Sequence, residues 1–348
     1  MTILFYNVLI IGSILVLYIP LSINNANYIK FFSFFLLFFI SSVRVGIGTD
    51  YYSYENIFNL IEQGAQVGTE PIFYLINLIS SKFDFGFHGV IVITSFLFLY
   101  PIFKCIDNRI TIWVVFYFLM SFYLYSFNAI RQGIAISISC FSIYKLLIDG
   151  NKVKYIFIVF LASLFHSTAL IGLLVLFFRK FCLPWWGNII LIVVFYFIAQ
   201  SSISYLLNSS LFLSSKYSFY ANTDYIDAAK LGSGVGLVIQ LIPYFVIIVF
   251  HKYIFLSENI SKFSVNTSMA LIFVKILMLN VGIFYRFEYA LIPMLSIVFS
   301  EIACRYNKSL INMFLFIYLF SWVVLQFELG LFNNANEIIP YQSIFGSF

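Results

Sequence analysis

The chain repeatedly runs for about 20 residues without a charge, the length that the hydrocarbon core of a bilayer demands of a helix. Trp185 to Leu207 and Leu310 to Phe327 are two such runs. A water-soluble fold of 348 residues that is 62% hydrophobic and 9% charged would have to hide more apolar surface than its interior can hold. The runs are continuous rather than alternating over ten residues, which excludes an outer-membrane barrel. The fold class is therefore all-α, a polytopic transmembrane helical protein, read as a single integral membrane domain over residues 1–348. The net charge of +5 is scattered through short loops and forms no basic stripe, so nucleic acid is not an expected partner.

Charge placement predicts topology. No basic residue precedes the first apolar stretch, and the first positive charge, Lys30, follows it. A cleavable signal peptide has the opposite arrangement. With Lys30 cytoplasmic, the outer segments are the loops 44–88 and 208–234 and the tail 328–348. The block Tyr155 to Phe178 is bounded by Lys152 and Lys154 on one side and Arg179 and Lys180 on the other, so both ends read as cytoplasmic. That parity predicts a re-entrant pair of half-helices, each about 18 Å long, meeting at His166-Ser167-Thr168. Further spans are expected to start at Asn128 and to cover Met269 to Tyr285, making about 10–12 membrane segments in all. Cys105, Cys182 and Cys304 fall at cytoplasmic ends and Cys140 within a span, without Cys-x-x-Cys or His-x-x-x-His spacing. Neither a metal nor a cofactor is expected.

The polar residues that break this pattern are few. Arg44-Val-Gly-Ile-Gly-Thr-Asp50-Tyr51-Tyr-Ser-Tyr54 follows an uncharged run. Arg44 reads either as a helix-end arginine reaching the interface, followed by a turn at Asp50, or as sharing a polar pocket with Asp50. Thr69-Glu70-Pro71 is a helix-start signature before a helix too short to span. Arg131 lies three residues after Asn128, the expected N-cap, in a first turn where the helix dipole is already positive. A cation there suits an anion held by arginine and helix together. His166, in an apolar block, is either a polar tie between helices or a working group. Arg286 is followed closely by Glu288, and the pair reads as self-neutralising or as freeing Arg286 for an anion.

Arg44-x-Gly-x-Gly-Thr-Asp50-Tyr-x-x-Tyr54, Asn128-Ala-Ile-Arg131-Gln-Gly, His166-Ser-Thr-Ala, the Arg286 segment and Ile338-Ile-Pro-Tyr341 together resemble the EpsG family, the Wzy-type polymerases of bacterial surface polysaccharides. The resemblance implies a GT-C-like membrane architecture in the bacterial plasma (inner) membrane with its active site on the outer, periplasmic side. It implies transfer of a glycan chain from undecaprenyl pyrophosphate onto the nonreducing end of a lipid-linked repeat unit. The lipid-linked oligosaccharide and the bilayer would be its partners, with chain-length regulator and flippase proteins as further ones. In that reading His166 and Asp50 are the catalytic residues. Arg131, Arg286 and Arg44 hold the pyrophosphate, and Glu70, Tyr51, Tyr54 and Tyr341 contact sugar. The alternatives are an O-antigen ligase, a lipid-linked oligosaccharide flippase and a membrane acyltransferase.

Overall fold

A computed structural model of the protein describes residues 2–18, 26–107, 109–207 and 234–347. Nearly all of the expected outer loop 208–234 lies outside these residues. The helices are α1 (Thr2–Tyr18), α2 (Ala26–Val43), α3 (Tyr51–Glu62), α4 (Pro71–Lys82), α5 (Gly86–Phe103), α6 (Arg109–Phe122), α7 (Ile130–Asp149), α8 (Lys152–Ser163), α9 (Val175–Phe178), α10 (Trp185–Leu207), α11 (Val235–Ile254), α12 (Glu258–Met278), α13 (Tyr285–Ala303) and α14 (Leu310–Phe332). Among the described residues, strand is confined to Gln342–Ser343 paired with Gly346–Ser347. Among the described residues seven helices are long and apolar enough to cross a membrane, and shorter apolar helices accompany them. The protein is the all-α, multi-pass membrane type that its uncharged runs predict.

The chain divides into two compact units. The first comprises residues 1–173, 292–304 and 319–348, and the second comprises 174–291 and 305–318. In the first, α2 packs on α1 and α5, and α7 packs on α5 and α8. Lys30 donates to the Ile106 carbonyl at 2.8 Å, and Lys145 and the Tyr144 hydroxyl both reach Asp107, at 3.7 and 2.8 Å. These basic residues gather at one end of α2 and α7, whereas Arg44 and Arg131 stand at the other. In the second unit α12 packs on α10 and α11.

Between α8 and α9 the chain doubles back. Tyr155 donates its hydroxyl to the carbonyl of Gly172, 17 residues on. A straight helix would hold those residues about 25 Å apart. A Cβ on Gly172 would stand 3.3 Å from that hydroxyl, so the glycine lets the arms approach. The helix breaks after Ser163 and resumes at Ser167 as a 3-10 helix, with His166 at the bend as the charge parity predicts.

Two helix boundaries differ from expectation. Asn128 does not cap α7, whose cap position is Ala129. Its side chain instead accepts from the Thr49 amide at 3.0 Å and donates to Asn336 at 3.0 Å. The span expected over Met269 to Tyr285 starts earlier, at Glu258, and ends at Met278. Its polar first half is buried: Ser261, Ser264, Thr267 and Ser268 are nearly inaccessible, and Ser268 bonds back to the Ser264 carbonyl at 2.9 Å. Small hydroxyl residues permit close helix packing, and a hydroxyl such as that of Ser268 can be satisfied on its own helix. Val281 is extended (φ −142°, ψ 115°), and α13 starts afresh at Tyr285.

The C-terminal tail clasps the first loop. The Val45 amide donates to Gln342, Ile344 to Val43, and Gly48 to Glu337. Tyr341 donates to the Ile40 carbonyl at 2.6 Å, Tyr6 to Ile338 at 3.1 Å and Tyr123 to Leu37 at 2.7 Å. Gly48 has φ +102°, and a Cβ there would fall 2.5 Å from the Asn128 side-chain oxygen. No other residue meets both conditions. Gly48→Ala is therefore expected to lower the melting temperature of the purified protein in detergent by several degrees. Gly68→Ala, where a Cβ meets no atom within 4 Å, should leave it unchanged; equal melting of the two variants would show that the clasp carries no stability.

Candidate functional site

The polar residues of the first unit sort into two groups. The first centres on Arg131, in the first turn of α7. Its guanidinium donates to the Thr69 hydroxyl at 3.1 Å and forms an ion pair with the Glu70 carboxylate. It lies against the rings of Tyr54 and Phe73, each centroid 5.6 Å away. The two partners of the ion pair stay within reach of solvent, with side-chain exposures of 27% for Arg131 and 20% for Glu70. Glu70 occupies the N-cap position of α4 with Pro71 at its first turn, the start that the Thr-Glu-Pro signature predicts. Burial alone would raise the Glu70 carboxyl, but Arg131, its own backbone amide and nearby His166 outweigh that and leave it below its ordinary value. His166 is thus close enough to act on Glu70. At the bend after α8, His166 Nδ1 lies 2.9 Å from the Thr168 hydroxyl and 3.3 Å from the Thr168 amide.

Tyr54 is brought to Arg131 by α3, whose first residue is Tyr51. Both tyrosines are buried, and Tyr51 packs edge-on against Tyr52 and Phe87. Asp50 precedes α3 and is exposed. The turn there is closed by backbone, with the Tyr51 amide on the Gly48 carbonyl at 3.1 Å and the Tyr54 amide on the Asp50 carbonyl at 3.0 Å. Asp50 lies within electrostatic range of the Tyr54 hydroxyl.

The second group centres on Arg44, which is only 3% exposed. Its guanidinium turns back onto the end of α2, donating to the Ser41 carbonyl and, at 3.2 Å, to the Ser95 hydroxyl. It stacks on Phe127 at 4.5 Å, and its buried Nε has no partner. Among the described residues no carboxylate pairs with it. The negative end of the α2 dipole, unsatisfied helix carbonyls and an aromatic face supply the compensation instead. Tyr341 lies in this group, its hydroxyl pushed up to about 12 by burial against the opposing field of Arg44.

Arg286 belongs to the second unit. It is half-buried, 6.0 Å from the Tyr285 ring, in the first turn of α13. Glu288 pairs with Lys275 at 2.7 Å, a lysine in the last turn of α12 whose side chain is 6% exposed. The structure thus brings Arg131, Glu70, Tyr54 and His166 together with Asp50 nearby. It places Arg44, Tyr51 and Tyr341 around the clasp and Arg286 in the other unit. Sequence reading named Thr69 and Thr168 only as parts of a helix start and a bend, and it missed Phe73, whose only signal is its place two residues into the helix that Pro71 opens. Among the described residues no three of His, Cys, Asp and Glu converge as a metal-holding group.

Comparison with curated proteins and with solved structures returned no match. A model of the EpsG family, whose members are Wzy-type polysaccharide polymerase-like proteins, matches residues 27–343. That match runs from the start of α2 to the tail strand, across both units and every group of polar residues described above, and the chain belongs to the EpsG family.

Proposed function

We propose that the protein is a Wzy-type polymerase that moves a growing glycan from undecaprenyl pyrophosphate to the nonreducing end of an incoming lipid-linked repeat unit. The observation that carries this reading is the Arg131 group: a reachable guanidinium at a helix N-terminus, held against two rings and paired with a carboxylate that also feels a histidine. In the transfer, the acceptor hydroxyl oxygen forms a bond to the anomeric carbon while the bond from that carbon to the pyrophosphate oxygen breaks. The electron pair leaves on the pyrophosphate, whose charge Arg131 and the α7 amides stabilise. The hydroxyl proton goes to His166 Nε2, which requires Nδ1 to carry its hydrogen towards Thr168; Asp50 is the substitute acceptor. Glu70 and Tyr54 hydrogen-bond or stack on sugar. We assign Arg44, with Tyr51 and Tyr341, to holding the loop that presents them. The site lies on the outer face of the plasma membrane, because the basic cluster around Lys30 and Lys145 marks the opposite end of the first unit.

Purified protein in liposomes, supplied with a synthetic undecaprenyl-pyrophosphoryl repeat unit, should yield a ladder of products. Transfer of a single unit onto lipid A core would instead indicate a ligase, and movement across the bilayer without bond formation a flippase. Arg131→Ala should slow chain growth by about a hundredfold. Arg131→Lys should recover it only partly, since an ammonium does not grip two oxygens at once. Wild-type ladders from Arg131→Ala would remove it from the site.

His166→Ala should slow transfer by about 10² to 10⁴-fold with normal protein abundance, and His166→Gln should not restore it. A stable, active His166→Gln would move the proton acceptor to Asp50. Orientation is checked by cysteines placed singly at Ser53 and at Asn151 in a chain lacking its four native ones. An impermeant thiol reagent applied to spheroplasts should label the first and spare the second.

The lowered Glu70 carboxyl also sets a pH dependence. Its pairing with Arg131 stabilises the fold fully above its ordinary value of 4.5 and loses that contribution as pH falls through the lowered one. The melting-temperature gap between wild type and Glu70→Gln should accordingly be wide at pH 7 and close in strong acid. A gap independent of pH would mean that the ion pair is not what Glu70 supplies.

A further inference from the structure

Within the second unit, α9, α10 and α12 enclose a cavity of about 390 Å³. Its wall is largely hydrocarbon, from Leu174, Phe178, Leu191, Met269 and Phe273, with polar atoms at Cys182, Asn188 and Asn266. The two amides are already engaged with backbone. Asn266 donates to the Phe178 and Phe181 carbonyls at 3.0 and 2.5 Å, and Asn188 donates to Leu183 at 3.1 Å. What remains for an occupant is apolar surface, the lining that suits a hydrocarbon chain.

The end of the cavity near Cys182 is cationic. Arg179 and Lys180 stand between Phe178 and Phe181 in sequence. Asn266 also bonds the Lys262 carbonyl at 3.0 Å, one turn earlier on α12. His251 meets Ser261 at 2.6 Å, which brings the end of α11, and Lys252 with it, beside Lys262. Lys252 and Lys262 both act electrostatically on the Cys182 thiol. Glu258 is paired with Lys262 at 2.6 Å, and among the described residues the exposed Lys180 and Lys252 have no carboxylate in ion-pair contact. Trp185 and Trp186 open α10 and are exposed by 52% and 56%, as tryptophans at the level of lipid headgroups are. An apolar slot thus begins at headgroup depth under a cluster of positive charge.

We propose that this cavity is a site for one anionic phospholipid, its acyl chain lying in the slot against Met269 and Phe273 and its phosphate held by Lys180 and Lys252. This inference does not rest on the polymerase reading. A zwitterionic lipid fills the slot equally well but carries a compensating cation to the lysines, so the site should choose by headgroup charge.

The test is native mass spectrometry of the delipidated, detergent-solubilised full chain titrated with phosphatidylglycerol or phosphatidylcholine of the same acyl chains. One phosphatidylglycerol should bind at least about tenfold more tightly than phosphatidylcholine. Lys180→Glu combined with Lys252→Glu should abolish that preference without changing the melting temperature. Ala270→Trp, which fills the slot from its lining, should remove the bound lipid altogether, whereas glycerol phosphate lacking acyl chains should not compete. Equal retention of both lipids, displacement by glycerol phosphate, or unaltered phosphatidylglycerol binding in the charge-reversed chain would each overturn the site. Preferential capture of a polyprenyl phosphate over phosphatidylglycerol would overturn the assignment of its occupant. Each of these outcomes is read without any transfer assay.

Discussion

The Asn128 side chain, between the Thr49 amide and Asn336, is the contact on which the first unit depends. It joins three segments far apart in sequence: the first loop, the turn before α7, and the tail after α14. A buried amide side chain with both ends satisfied specifies one arrangement, because any other leaves donors and acceptors unmet in a medium that contains no water to replace them. Around it the constraints are consistent. Gly48 leaves room for the Asn128 oxygen, the tail pairs with backbone at Val43, Val45 and Gly48, and Arg44 is locked over the end of α2. Once the loop is fixed, α3 starts at Tyr51 and Tyr54 arrives beside Arg131. The clasp and the Arg131 group are two consequences of one loop geometry.

The extent to which this was legible in the sequence follows from the kind of signal each feature leaves. Uncharged runs determine helix type and number because burying charge in lipid is prohibitive, so the all-α architecture could be read directly. The doubling back at His166 was legible from charge parity alone. The start of α12 was not: Ser261, Ser264, Thr267 and Ser268 look like loop residues, and only their packing against another helix makes them interior. Asn128 misled for a related reason. Asparagine before a helix is a good cap, and nothing local reveals that a residue more than two hundred positions away claims its side chain. The group around Arg131 was read residue by residue, but its pairing with Glu70 is a long-range contact that no spacing encodes.

That pairing changes what Arg131 can be. A cation in the first turn of a helix is opposed by the dipole by up to about 1 kcal/mol, a cost that a nearby anion offsets. At rest Glu70 supplies the anion, and the Tyr54 and Phe73 faces supply further stabilisation. In the proposed transfer a pyrophosphate, which presents more charge than a carboxylate, would also meet the α7 amides and would take the guanidinium while Glu70 turned to sugar hydroxyls. An arginine kept permanently exposed would spread over many rotamers and lose entropy on binding; one already held against two rings and a carboxylate has less to lose. Arg44 has no such freedom. One terminal nitrogen of its guanidinium is bonded to Ser41 and Ser95 below the surface, which fits a residue that shapes the loop.

His166 makes the same point through a proton rather than a charge. A ring nitrogen accepts a proton only if the other nitrogen carries its hydrogen, so the tautomer decides whether Nε2 is a base or a donor. Thr168 presents two groups to Nδ1, an amide that favours one tautomer and a hydroxyl that suits either. Its amide, at 3.3 Å, can only donate and would place the hydrogen on Nε2. Its hydroxyl, at 2.9 Å, can accept from Nδ1 and leave the Nε2 lone pair open. The shorter contact is the one compatible with proton transfer, and a hydroxyl, unlike a fixed amide, can rotate to follow the ring through both protonation states. In the proposed transfer, an imidazolium formed at His166 would lie within the field of Glu70, whose negative charge would stabilise it as the pyrophosphate drew Arg131 away. The bend in the chain, the threonine two residues on and the carboxylate from another loop thus act on one ring.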